Sequence, residues 1–275
     1  MNSKHNPILK RNYRTHGKPP YHVALIHGGP GALGEMALLA RVLQAKISVL
    51  EPLQTETSLK GQVEELRSLL EAQAELPVTL VGFSWGAWLS YILTAGHLGL
   101  VKKLILVGSG PFEHHYAAQI HKTRLSRMTR DEAQEFENII QELNDPGLKL
   151  SPDTYQRLGS LASKADQYDP LEVEQDDLDE SRRSMGNRFF GVLGEAQAMR
   201  KDGRLLALGR KITIPVTAIH GVYDPHPAAG VFEPLGRYLA DFRFIPVENC
   251  GHKPWIEKGA KDEFMSILQA ELLDV

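Results

Sequence analysis

Between Val78 and Leu93 the chain passes from a run that suits a buried strand to one that suits a helix. Val78, Leu80 and Val81 are apolar and β-prone; Ala87, Leu89, Ile92 and Leu93 recur at helical spacing. Between the two runs lies Gly82-Phe83-Ser84-Trp85-Gly86. A strand that turns straight into a helix leaves no room for a Cβ at the positions flanking the tip, so glycine fits there. The serine at the tip is strained, and its hydroxyl stands above the end of the sheet. The helix behind it aims its first backbone N–H groups at the same place. A capping serine in an ordinary Gly-flanked turn has the same local pattern, so the neighbouring elements must decide between the two readings.

The neighbours repeat the alternation of strand and helix. Tyr21 to His27 reads as a strand around Val23-Ala24-Leu25-Ile26, followed by a helix over Leu33 to Ala45 and a strand over Ile47 to Leu50. Leu59, Val63, Leu66 and Leu70 mark an amphipathic helix. After the Ser84 turn and its helix, Val101 to Val107 is a further strand. The rhythm then stops. From Pro111 to about Arg210 the chain is polar and helical, with a capping box at Thr129 and Glu132, a Pro-led start at Ser151-Pro152, a break at Asp169-Pro170 and a helix over Phe189 to Lys201. Sheet rhythm returns with Ile214 to Ile219, a helix over Gly230 to Leu239, a strand over Phe242 to Val247 and a closing helix over Ile256 to Leu273. The pattern predicts an α/β fold: a mostly parallel sheet with helices on both faces and an inserted helical cap. Residues 1–110 and 211–275 form the core in this reading, and 111–210 the cap over the strand ends.

Three chemically distinct residues fall just past the ends of three of these strands: Ser84, Asp224 and His252. The order Ser, Asp, His along the chain is that of a nucleophile, an acid and a base on such a sheet. A serine hydroxyl is a weak nucleophile until a base takes its proton. A neutral imidazole can accept that proton and return it to the leaving group, and a carboxylate fixes the ring's tautomer and stabilises its cation. Glu113 is the fallback acid. His27-Gly28-Gly29-Pro30-Gly31, after the first strand, is the second motif. Its backbone N–H at Gly29, with Gly28 the alternative, would join the N–H of Trp85 in an oxyanion hole. His97 and His226 read as structural or surface residues, and Cys250 as packing. Trp255 is expected to pack beside the His252 loop. His114-His115 lacks a third ligand at metal spacing, so no metal and no cofactor is expected. Phe112, Tyr116, Phe189 and Phe190 are candidate substrate contacts.

The two motifs together resemble the α/β-hydrolase superfamily, and most of all the branch that includes the prolyl iminopeptidases. The resemblance implies a Ser-Asp-His hydrolase with a helical cap between the strand after the elbow helix and the acid-bearing strand. Relatives in that branch usually begin with an antiparallel pair of strands; the short leader here implies a sheet shortened at that edge. The peptidases hold a free amine with cap carboxylates, and this cap offers Glu172, Glu174, Asp176, Asp177, Asp179 and Glu180, a run that also suits a solvated helix face. A serine at the elbow excludes the relatives that need a carboxylate there, such as haloalkane dehalogenases and many epoxide hydrolases.

Composition narrows the partners. Lys+Arg 31 against Asp+Glu 34 gives a net charge of −3, which argues against nucleic acid or an anionic membrane. A single cysteine excludes an internal disulfide framework and fits a reducing compartment. Without a signal-like or membrane-spanning apolar run the chain reads as soluble and cytoplasmic. The expected function is a serine hydrolase that forms an acyl-enzyme on a small ester or related acyl substrate. An aminopeptidase acting on short peptides and a ligand-binding sensor with little turnover are the alternatives.

Overall fold

The computed structural model describes residues 12–29, 31–143, 145, 148, 151–172 and 190–273. Its seven strands are β1 (Tyr13–His16), β2 (Val23–Ile26), β3 (Val49–Pro52), β4 (Val78–Phe83), β5 (Val101–Val107), β6 (Val216–Gly221) and β7 (Phe242–Val247). They form one sheet in the order β1-β3-β2-β4-β5-β6-β7. β1 runs antiparallel to β3, and the other pairs are parallel.

The strands divide their side chains between two cores with period two. On β4, Val78 and Leu80 face one cluster, and Val81 and Phe83 the other. β5 repeats the division with Leu104 and Leu106 against Ile105 and Val107, and β2 with Ala24 and Ile26 against Val23 and Leu25. Both faces are buried, so these strands read in the sequence as continuous apolar runs. The first core lies under α2 (Leu59–Gln73), α3 (Trp85–Gly96) and α9 (Ala229–Tyr238); the second lies under α1 (Ala37–Leu43) and α10 (Lys261–Leu273). Leu80, Leu104 and Leu106 are wholly buried, and each such side chain contributes about 1.5–3 kcal/mol.

The order of the strands places the site. After β2 the chain adds β3 on one side and then β4 on the other, so the C-terminal ends of β2 and β4 part at a switch point, where ligands bind in such sheets. The glycine turn follows β2, and Ser84 follows β4.

Between β5 and β6 come α4 (Ala117–Ser126), α5 (Arg130–Leu143), α6 (Pro152–Asp166), α7 (Phe190–Lys201) and α8 (Arg204–Ala207). The capping box is formed: the Glu132 N–H donates to Thr129 Oγ1 at 3.3 Å, and the Thr129 N–H to Glu132 Oε2 at 3.0 Å. Ser151 caps α6 by accepting from the Thr154 N–H at 3.1 Å. Phe136, Ile139 and Leu161 make a small core between α5 and α6. Val192 and Ala196 of α7, with Leu205 and Leu206 of α8, instead join the main core under α3.

Several boundaries differ from the sequence reading: the closing helix begins at Lys261 after a short 3-10 turn at Pro254–Ile256, β6 begins at Val216 and β3 runs from Val49 to Pro52. Two further differences have a clear physical reason. β1 carries Tyr-Arg-Thr-His and no apolar run; it is a strand because its backbone pairs with β3, from Tyr13↔Pro52 to His16↔Val49. α1 begins at Ala37, not Leu33, because Gly34 takes φ 82°, a left-handed turn that no helix continues through.

Candidate active site

Ser84 sits at φ 52°, ψ −113°, a region that costs a side-chain-bearing residue about 1–3 kcal/mol and persists only where the surroundings enforce it. The enforcement is visible. The Ser84 N–H donates to the Val107 carbonyl at 2.9 Å, tying the turn to β5. A Cβ on Gly86 would collide with the carbonyl oxygens of Ile26 and His27, and one on Gly82 with the backbone of Gly86. Strand, turn and helix therefore pack backbone against backbone.

The structure brings the three sequence-predicted residues together. His252 Nε2 lies 3.0 Å from Ser84 Oγ, and His252 Nδ1 lies 2.7 Å from Asp224 Oδ2. Asp224 and His252 are 7% and 8% exposed, so the relay is shielded from bulk water. The His252 N–H donates to the Asp166 carbonyl at 2.8 Å, and the ring of Phe83 tilts against the imidazole at 4.8 Å. Trp255 packs edge-on against that same Phe83 at 4.7 Å. Asp166 is itself gripped through both carboxylate oxygens by Arg124, at 2.7 and 2.6 Å. Glu113, the fallback acid, pairs with Arg237 at 2.9 Å. Burial pulls the His252 pKa down, but the Asp224 charge and hydrogen bond outweigh it and the pKa is raised. For Asp224, burial pushes upward, yet three facing imidazoles (His252, His226 and His220) hold its pKa well below the ordinary carboxylate value.

The sequence reading assigned His226 to structure or surface; the structure places it against Asp224 and His252. Its Nδ1 lies 2.7 Å from Asp224 Oδ1, its backbone N–H donates to the same oxygen at 2.9 Å, and its ring stacks on that of His252 at 4.4 Å and 26°. Burial lowers its pKa, which favours the neutral ring. The signal was local: an Asp that accepts from the N–H two residues on forms an Asx turn, which carries residue 226 back towards residue 224. Asp224, His226 and His252 offer ligand atoms within 4.8 Å of one another. Both Nδ1 atoms face the carboxylate, and His252 Nε2 faces Ser84.

His27 fixes the glycine turn. Its Nε2 accepts from the Gln54 N–H at 3.3 Å, which leaves the proton on Nδ1 to donate to the Gly28 carbonyl at 2.8 Å. Full burial lowers its pKa and keeps this tautomer neutral. Gly29 and Trp85 border the same cavity as Ser84. At Gly28, a Cβ would meet the Phe83 ring and Glu35. Pro30 lies outside the described residues.

That cavity has a volume of about 250 Å³. Its walls come from the Ser84 turn, from Trp88 on α3, from Ile120 and Arg124 on α4, and from Leu193, Gln197 and Arg200 on α7. The predicted substrate contacts fare differently. Phe112 is wholly buried in the main core, edge-on to Tyr91 at 4.9 Å, and is not part of the wall. The Tyr116 hydroxyl is turned away, donating to Glu233 at 2.7 Å. Phe189 and the side chain of Phe190 lie outside the described residues. Cys250 is buried, and burial pushes its thiol pKa up, as suits a packing residue. A larger, open groove of about 590 Å³ lies at the opposite end of the sheet, where Lys103 pairs with Glu271 at 3.0 Å.

No family model matches the sequence, and no curated protein does. The architecture does have relatives among solved structures. A proline iminopeptidase from Mycobacterium smegmatis superposes with a TM-score of 0.68 at 15% identity, over 96% of this chain and 96% of that one. An epoxide hydrolase superposes with a TM-score of 0.66 at 20% identity, over 95% of this chain and 94% of that one. The chain has the α/β-hydrolase fold. Among the described residues no helix is long and apolar enough to cross a membrane.

Proposed function

We propose that this protein is a serine hydrolase that works through an acyl-enzyme on a small ester or related acyl compound. The observation that carries the reading is the hydrogen-bonded relay from Ser84 through His252 to Asp224, at 3.0 and 2.7 Å. In this mechanism Ser84 Oγ attacks the substrate carbonyl while His252 Nε2 takes its proton. The N–H groups of Gly29 and Trp85 hold the oxyanion. His252 then protonates the leaving group as the tetrahedral adduct collapses, and water, deprotonated by the same ring, releases the acid. Asp224 keeps the Nδ1 proton in place and offsets the charge on the imidazolium.

A cavity of about 250 Å³ lies just below the roughly 300–1,000 Å³ of drug-sized sites, which favours a small substrate. Its charged lining residues, among those described, are Arg124 and Arg200 with His226 beside them. Arginines disfavour a substrate's free ammonium group, so the aminopeptidase reading is the weaker one. Of the cap carboxylates, Glu172 is exposed and the other five lie outside the described residues.

The experiment is pre-steady-state turnover of p-nitrophenyl esters of increasing chain length, beside aminoacyl arylamides, with Ser84→Ala as control. A burst equal to one p-nitrophenol per active site, abolished in the variant, supports the acyl-enzyme. Faster cleavage of proline arylamide would move the assignment to the peptidase. Tight ester binding without turnover would move it to a sensor.

A further inference from the structure

Arg200 is a charged residue of the cavity wall that the relay leaves unexplained. It reaches the cavity from the last turn of α7 and is only 8% exposed. Its Nε is buried without a hydrogen-bond partner, and among the described residues its guanidinium forms no ion pair. Its guanidinium carbon lies 5.3 Å from the centre of the Trp88 ring. That ring is fixed in turn by its N–H bond to the Gly110 carbonyl at 3.1 Å.

The contrast with Arg124 is informative. Both arginines border the cavity, but Arg124 is matched by the fork of Asp166, while Arg200 has no matching carboxylate among the described residues. A buried cation without a counter-charge is costly, and it is tolerated where another molecule completes it. Guanidinium remains charged at neutral pH, and its planar set of donors fits a carboxylate in a two-point contact. Gln197, one helical turn earlier on the same helix and also on the cavity wall, adds an amide donor beside it. Apolar surface from Ile120 and Leu193 completes the wall.

Resting on the serine-hydrolase reading of Ser84, we infer that the substrate carries a carboxylate, and that Arg200, backed by Trp88 and assisted by Gln197, binds it within the cavity that holds the nucleophile. The small volume limits the distance between the two groups, so the substrate is a short half-ester or a carboxylated acyl compound.

Two matched substrate pairs test this. 4-Nitrophenyl hemiglutarate against 4-nitrophenyl pentanoate places the charge on the acyl side; 4-acetoxybenzoate against phenyl acetate places it on the alcohol side. In at least one pair the wild-type protein should favour the charged member in kcat/KM by 30-fold or more. That ratio should collapse to near one in Arg200→Met and recover in part in Arg200→Lys. A wild-type ratio near one in both pairs, or a ratio unchanged by Arg200→Met, overturns the inference. Fluorophosphonate labelling of Ser84 in Arg200→Met, with its thermal unfolding, shows that the variant is folded, and the Arg200→Lys ratio carries the test if it is not. Calorimetric titration of glutarate into Ser84→Ala and into the Arg200→Met/Ser84→Ala double variant separates the two levels. Glutarate binding that depends on Arg200, without turnover of any ester, sustains the anion site and refutes the hydrolase. Ester turnover with no Arg200-dependent preference and no glutarate binding does the reverse.

Discussion

The imidazoles of His226 and His252 stack at 4.4 Å and address opposite oxygens of one carboxylate, each through an Nδ1 at 2.7 Å. Asp224 is therefore shared. A neutral His226 donating to Oδ1 withdraws part of the negative charge that would otherwise favour the protonated form of His252. His226→Ala removes that donor and should raise the His252 pKa further. The acid limb of the pH profile of kcat/KM should then move to higher pH, and kcat should fall about fivefold, as expected for one lost hydrogen bond. A profile that stays in place in the folded variant would show that His226 only fills space.

The pH profile of the unmodified protein has a fixed sign. His252 must be neutral to act as base, and its pKa is raised above the ordinary 6.5: burial works against this, but the Asp224 charge outweighs it. kcat/KM should fall as pH drops, with an apparent midpoint above 6.5. The same shift contributes stability that is fully present below pH 6.5 and is lost as pH rises through the raised value. Asp224→Asn removes the raising charge, leaves burial to lower the pKa, and should cost about 10⁴ in kcat. Initial rates from pH 5 to 9 on both proteins check the direction.

The Arg124–Asp166 pair supports the base from behind, because Asp166 supplies the carbonyl that accepts the His252 N–H at 2.8 Å. Arg124→Met leaves a carboxylate that is only 7% exposed without its partner. The loss should be about 2–4 kcal/mol in urea unfolding. Arg124→Met combined with Asp166→Asn should recover much of it, since no unpaired charge then remains. Equal stability of the single and double variants would mean that the pair is not coupled.

The legibility of this molecule in its sequence follows from where the information lies. β4 and β5 were readable because both faces are buried, so their apolar residues are consecutive. The elbow was readable because backbone contact at Gly82 and Gly86 excludes every other residue type. Ser84, Asp224 and His252 were readable because each follows a recognisable strand. β1 was not, because its strand character resides in pairing with β3 and not in its side chains. The cavity wall was also hidden. Phe112 and Arg200 lie in the same long insertion, and nothing in its periodicity tells that the phenyl ring enters the core while the guanidinium borders the site. His226 was masked by its place in a Pro-containing turn, where a histidine is ordinarily solvated.

The role of Ser84 as the nucleophile is tested most directly by intact-mass and peptide mass spectrometry after treatment with a fluorophosphonate. The relay of Ser84, His252 and Asp224 predicts one adduct per chain, located on Ser84, absent from Ser84→Ala and strongly slowed in His252→Ala. A folded protein that takes up no label, or one that is still labelled to the same extent after Ser84→Ala, would contradict it.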